Sequence, residues 1–111
     1  DITTYRRDAG RVLPNRGNLS DDEFLGLKGT VLRDPGYTST TSSRESLSSF
    51  EGDVEYEFHV PARTRGTYIA SIAQAPIERE FLIGRGTSYR VIDTVIDAQG
   101  RAIQLEVIPD D

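Results

Sequence analysis

The sequence predicts a strand-rich α+β domain with antiparallel sheets and two or three short helices. Three observations carry that expectation. Apolar and polar residues alternate in short runs, clearest in Val54-Glu55-Tyr56-Glu57-Phe58-His59-Val60, and a period of two marks a strand with one face buried. The helix-start signals open only short segments. The strands also follow one another closely with no long helix between them, which favours antiparallel pairing over parallel crossovers.

In chain order, residues 2–7 read as a short strand, since Ile, Thr and Tyr favour extended backbone. Residues 8–19 contain Gly, Pro and Asn and read as a loop. Ser20 with Glu23 is a capping box that opens a short helix carrying Phe24, Leu25 and Leu27 and stopping near Gly29. Asp34-Pro35-Gly36 is a turn signal. Tyr37 to Thr41 favours strand, and Ser42 with Glu45 is a second capping box leading into a short helix that ends near Phe50. Residues 54–60 form the half-buried strand already named. Gly66 and Pro76 bracket an irregular stretch with Tyr68, Ile69 and Ile72, and Glu80 to Ile83 is a short apolar segment before the turn Gly84-Arg85-Gly86. Residues 88–96 and 102–108 read as two strands of a hairpin turning at Ala98-Gln99-Gly100.

The 111 residues suffice for one domain, 1–111, with an adequate core. With 36% hydrophobic and 28% charged residues the composition is that of a soluble globular chain. The absence of Cys removes disulfides, thiolate metal sites and a cysteine nucleophile. No apolar run is long enough to cross a bilayer, so no membrane partner is expected. The formal charge of −5 argues against non-specific nucleic-acid binding, which needs a dense basic face. No signal peptide is visible, and a chain beginning at Asp1 rather than Met reads as a piece of a longer one.

Three patches bear chemistry. Tyr5-Arg6-Arg7 ends the first strand, and an arginine there can grip a phosphate through two parallel hydrogen bonds or stay a surface cation. The Ser/Thr-dense segment 36–43 supplies hydroxyls that can orient a neighbouring carboxylate, or merely starts a capped helix. Glu78 and Glu80 flank Arg79, and in extended backbone they project to one side. Two carboxylates so placed repel. A pocket for developing positive charge could use them, because a sugar losing its glycosidic partner passes through an oxocarbenium-like state. Taken alone, such a pair is an ordinary solvated acidic face. His59, on the polar side of its strand, reads as a surface histidine.

In order and spacing these patches resemble the Arg–Ser–Glu class of ADP-ribosyltransferases, which includes many bacterial toxins. The resemblance rests on Tyr5-Arg6, on Tyr37-Thr38-Ser39-Thr40-Thr41, on Glu78-Arg79-Glu80 and on the continuation through residues 81–92. It implies a fold of two packed, mostly antiparallel sheets with a few short helices. It implies NAD as substrate, with no metal, and transfer of ADP-ribose to a protein target with release of nicotinamide. Within that resemblance Arg6 holds the NAD phosphates, the Arg7 backbone holds the nicotinamide amide, and Ser39 positions Glu80. Thr40, Thr41 and Phe50 complete the NAD site. Glu80 contacts the nicotinamide ribose and stabilises the cation, and Glu78 orients and deprotonates the acceptor. Glu at position 78 goes with an arginine acceptor.

Two departures stand out. Thr41 occupies the last Ser of the motif and keeps a hydroxyl. The arginine strand comes at the very start, so the helical lobe that precedes it in the family is absent or minimal. The implied partners are a target protein carrying the acceptor arginine and, for a toxin, a cognate immunity protein. The implied setting is secretion, or delivery into a target cell as part of a larger toxin or effector. A catalytically inactive binding module is the alternative, which retention of Arg6, Ser39, Glu78 and Glu80 together opposes. A glycosidase ranks third, since its two carboxylates must flank the scissile bond rather than sit side by side.

Overall fold

The computed structural model describes residues 2–42, 52–61, 69–71 and 80–108. Eight strands appear: β1 (Ile2–Asp8), β2 (Val31–Asp34), β3 (Thr38–Thr41), β4 (Val54–Val60), β5 (Ile69–Ser71), β6 (Glu80–Ile83), β7 (Thr87–Asp97) and β8 (Gly100–Ile108). Hydrogen bonding joins them into one sheet in the order β2-β7-β8-β4-β1-β3-β6-β5. All neighbours are antiparallel except β4 and β8, which run parallel.

Two separate sheets were expected, and the ladder corrects that expectation while showing where it came from. β1 and β4 pair along seven residues, from Ile2↔Val60 to Asp8↔Val54. Among the described residues β1 and β3 share a single pair, Tyr5↔Thr41. The sheet is therefore a five-strand part and a three-strand part hinged on one residue pair.

The alternation read in residues 54–60 is real. Val54, Tyr56, Phe58 and Val60 are buried, whereas Glu55, Glu57 and His59 face outward. Ile103, Leu105 and Val107 of β8 and Tyr89 and Val91 of β7 continue the buried face, and Phe58 packs against Tyr56 and Tyr89 at ring separations of 5.7 and 5.3 Å. A register shift between Val91 and Asp93 is a bulge in β7 that re-phases its far half. The β7–β8 hairpin turns through Ala98 and Gln99, as expected from Gly100.

The helix α1 (Asp21–Leu25) carries the full capping box: Glu23 N donates to Ser20 Oγ at 3.1 Å, and Ser20 N donates to Glu23 Oε1 at 2.8 Å. It ends at Gly26 rather than near Gly29, and fully buried Phe24 ties it to the core. β2, which carries no strong alternation, was not anticipated as a strand; Leu32 and Asp34 face inward. The helix expected after Ser42, and with it Phe50, lies outside the described residues, as does Glu78.

Two glycines allow close backbone approaches around the end of β1, Gly10 within the loop that follows it and Gly52 in the segment that leads into β4. A Cβ on Gly10 (φ 106°) would stand 2.7 Å from Gly17 Cα, and one on Gly52 (φ 140°) would stand 2.0 Å from the Asp8 carbonyl carbon. Only glycine allows backbones to meet this closely at positive φ.

Candidate active site

The hinge between β1 and β3 gathers most of the residues singled out in the sequence. Consecutive residues of a strand face opposite ways, so Arg6 and Arg7 diverge. Arg7 donates to Glu55 Oε1 at 3.0 Å on the outer face. Arg6 lies on the side of Tyr56, its cross-strand neighbour. Its Nε donates to Asp8 Oδ2 at 2.9 Å and its Nη1 donates to the Ser39 carbonyl at 2.9 Å. One guanidinium thus bridges two strands that have almost no ladder in common.

Asp8, unremarked in the sequence, is what fixes that guanidinium. Besides Arg6 it accepts from Tyr56 Oη at 2.7 Å and from the backbone N–H groups of Gly10 at 2.7 Å and Arg11 at 3.1 Å. Burial works against its charge, but the Arg6, Tyr56, Gly10 and Arg11 donors outweigh it and hold the carboxyl below its ordinary pKa. Burial, together with the Asp8 charge, pushes the Tyr56 hydroxyl upward, so Tyr56 remains a hydrogen-bond donor.

A second carboxylate braces the turn into β3. Asp34 is 2% exposed. Arg11 grips it with both guanidinium arms, at 3.1 and 2.8 Å, and also donates to Thr38 Oγ1 at 3.0 Å and the Tyr37 carbonyl at 3.3 Å. The Thr38 hydroxyl and the Gly36 N–H complete the shell of Asp34. Burial again opposes ionisation, and the Arg11, Thr38 and Gly36 donors overcome it, so Asp34 too sits below the usual carboxylate value. Its bond to Asp34 raises the Arg11 pKa in turn. Neither Asp8 nor Asp34 was found by motif, because their work is to place the motif residues. The signal available was acidic residues at the end of one strand and the start of a turn, which is too common to single out.

On β3, Thr38 and Thr40 are fully buried, and the alternate positions Ser39 and Thr41 are half-buried and buried respectively. The β3–β6 register sets Thr41 across from Glu80 and Ser39 across from Leu82. Ser39 is therefore the diagonal neighbour of Glu80, and Thr41 the direct one. Arg6, Ser39, Thr41 and Glu80 thus lie close together on three adjacent strands, whereas Thr40 faces the other side of β3 with Thr38. Arg7 sends its side chain away, toward a cavity of about 110 Å³ lined by Asp53, Glu55, Asp97 and Arg101 on the outer face.

The sequence profile of the ADP-ribosyltransferase exoenzymes matches residues 1–108. The chain belongs to the ADP-ribosyltransferase exoenzyme family. Solved structures share its fold. The C3 exoenzyme of Clostridium limosum superposes with a TM-score of 0.73 at 22% identity, over 96% of this chain and 59% of that one. Plx2a, an ADP-ribosyltransferase toxin from Paenibacillus larvae, gives 0.70 at 20% identity, over 96% and 61%. C3stau2 from S. aureus, solved with NAD, gives 0.68 at 20% identity, over 98% and 62%. The chain spans about three fifths of the length of these structures. No curated protein matches it. The strand-rich, helix-poor architecture of this ADP-ribosyltransferase domain accords with the fold class expected from its sequence.

Proposed function

We propose that this ADP-ribosyltransferase domain is the catalytic core of an NAD-dependent mono-ADP-ribosyltransferase that modifies a protein arginine and releases nicotinamide. The observation that carries the reading is the convergence at the β1–β3 hinge: Arg6 bonded to the Ser39 carbonyl, and the β3–β6 register bringing Glu80 beside Ser39 and Thr41. Family membership supports it.

In this reading Arg6 meets the NAD diphosphate and the Arg7 backbone receives the nicotinamide amide. Ser39 orients Glu80, Thr41 stands directly across from it, and Phe50 packs near the nicotinamide. Glu80 binds the nicotinamide ribose and stabilises positive charge on C1′ as the bond from C1′ to the nicotinamide ring nitrogen breaks. The electron pair leaves with nicotinamide, which departs as a neutral ring, so the step asks for no metal. The acceptor guanidinium nitrogen forms the new bond to C1′, and its proton passes to Glu78. The target protein, a cognate immunity protein, and delivery as part of a larger secreted toxin or effector belong to the same proposal.

The test measures free ADP-ribose and ADP-ribosylated guanidine acceptor from one reaction. Glu80→Ala should lower both by about a hundredfold to a thousandfold, the worth of one preorganised contact to developing charge. Glu78→Gln should keep NAD hydrolysis within about tenfold, near 1.4 kcal/mol, while transfer falls much further. Nicotinamide release by Glu80→Ala at the parent rate would defeat the assignment. Unchanged transfer by Glu78→Gln would defeat arginine as the acceptor.

A further inference from the structure

The strand β7 outruns its neighbour on one side. β2 covers it only from Thr87 to Arg90. Val91 is bonded on that side too, its N–H donating to the Thr30 carbonyl and its carbonyl accepting from Gly29 N, both at 2.8 Å. β8 accompanies β7 to its end, at Asp97↔Gly100. Among the described residues no strand pairs with the other edge of residues 92–97. The bulge at Ile92 fixes which groups are left there. Val91 points its backbone toward β2, and beyond the extra residue the tight turn at Ala98 and Gln99 sets Asp97, Val95 and Asp93 toward β8. Thr94 and Ile96 therefore present their N–H and carbonyl groups to the open edge. The Thr94 N–H accords with this, since it donates to Oδ1 of its own neighbour Asp93 at 2.9 Å rather than to a strand. Among the described residues no backbone bond outside the ladders reaches Ile96.

The side chains along this edge are apolar at the centre and acidic on either side. Val95 is 44% exposed and Ile92 38%. Asp93 and Asp97 flank Val95 at alternate positions and share its outer side. Asp93 meets Lys28 at 3.7 Å, a long contact between exposed side chains. Across the ladder Val95 continues through Ala102 to Glu55, and Asp93 through Gln104 to Glu57. Asp93, Val95, Glu55 and Glu57 border a shallow cavity of about 130 Å³ on that face. A second copy of the chain does not suit such an edge. Two-fold antiparallel pairing that uses both open residues sets Thr94 of one copy against Ile96 of the other, and Val95 against Val95. It then sets Asp93 against Asp97 at both ends, and like charges directly opposite are destabilising. The same two aspartates favour a strand with basic residues at those positions.

We propose that residues 92–97 of β7 are a docking edge for an extended segment of a partner protein whose side chains alternate basic, apolar, basic. The segment adds a strand to the sheet through the backbone of Thr94 and Ile96. Its apolar side chain covers Val95, and its basic side chains meet Asp93 and Asp97. Pairing with the partner draws Asp93 off the Thr94 N–H, which then joins the new ladder. Strand addition takes affinity from main-chain bonds and specificity from alternate side chains. Asp93 thus guards the edge against acidic strands, this chain's own included, and admits basic ones. β8 and β4 lie between this edge and β1, so the docking edge is separate from the NAD reading and stands without it.

The experiment uses the whole chain and two short synthetic peptides, blocked at both ends. One carries lysine, valine and lysine at alternate positions among threonines, and the other has glutamate for both lysines. The lysine peptide should shift the NMR signals of residues 92–97 and slow hydrogen exchange at the Ile96 amide. The glutamate peptide should bind more weakly by about tenfold or more. Asp93→Asn combined with Asp97→Asn keeps carbonyl acceptors for the Thr94 and Gln99 N–H groups, so the fold should persist. It should weaken the lysine peptide by about tenfold, the worth of two exposed ion pairs, and flatten its salt dependence. No shift in residues 92–97, equal binding of the two peptides, or unchanged binding in the double variant would each overturn the docking edge. Binding without slower exchange at Ile96 would mean attraction to an acidic face with no added strand, and would overturn it as well. A parent chain that dimerises in solution, with Val95→Lys monomeric, would give the edge to a second copy and overturn the choice of partner.

Discussion

Replacing Arg11 by Met tests whether the turn into β3 is held by charge. Asp34 is 2% exposed and takes two of its four donors from Arg11. Arg11→Met keeps the aliphatic stem and strands a carboxylate that can retreat only onto the Thr38 hydroxyl and the Gly36 N–H. Removing one partner of a buried pair costs about 3–5 kcal/mol. Arg11 is 42% exposed, so water can approach the gap and the lower end, about 3 kcal/mol, applies. For a domain of this size that is a fall in Tm of roughly 10–20 °C. Asp34→Asn alone should also destabilise, because its amide N–H₂ faces the Arg11 donors. The double variant should cost less than the sum of the singles by about 1.5 kcal/mol or more, since no unpaired charge remains. Thermal or urea unfolding of the four proteins supplies the cycle. Strict additivity, or an Arg11→Met loss under about 0.5 kcal/mol, the scale of an exposed pair, would refute the role given to this clamp.

Two further outcomes follow from the carboxylates. Arg6→Lys should weaken NAD binding and also lower stability by about 1 kcal/mol or more, because a point charge cannot serve Asp8 and the Ser39 carbonyl together; calorimetry with NAD beside a melting curve checks both, and wild-type values in both would show that the fork does not matter. Asp8 and Asp34 have lowered folded-state pKa values, so their contribution is complete above the unfolded carboxylate pKa, near 4, and is lost as pH falls through the lower folded values. Stability measured from pH 6 to pH 2 should therefore drop steeply below about pH 4, and the drop should shrink in Asp34→Asn; equal pH slopes in the two proteins would contradict the assignment.

How much was legible in the sequence depended on how local the signal was. The period-two run of β4, the Ser20–Glu23 capping box and the turn at Gly100 each state their structure within a few residues, and each formed as expected. β2 has four residues and no flanking alternation, and pairing with β7 rather than propensity makes it a strand. The single sheet was illegible for a different reason, because its continuity depends on one pair, Tyr5↔Thr41, between residues far apart in sequence. A motif in fixed order names Arg6, Ser39 and Glu80, and the structure places them on neighbouring strands. No motif names Asp8, Asp34 and Arg11, because a side chain that places another has no sequence pattern of its own.

The hinge explains why those silent residues are needed. Strands bonded along their length hold one another in register, as β1 and β4 do over seven pairs. Past Tyr5, β1 and β3 separate, and the backbone no longer sets the distance between Arg6 and Ser39. A site built there gains an opening in the sheet and loses its own alignment. Side chains restore it. Arg6 spans from Asp8 to the Ser39 carbonyl, and Arg11, its N–H bonded to the same Asp8, spans to Asp34, Thr38 and the Tyr37 carbonyl. Asp8 is therefore the shared anchor of two struts that land on β3 and the residue preceding it, two residues apart. Shortening that anchor should misplace Ser39 and Tyr37 together. Deleting either strut alone should disturb chiefly the end on which it lands.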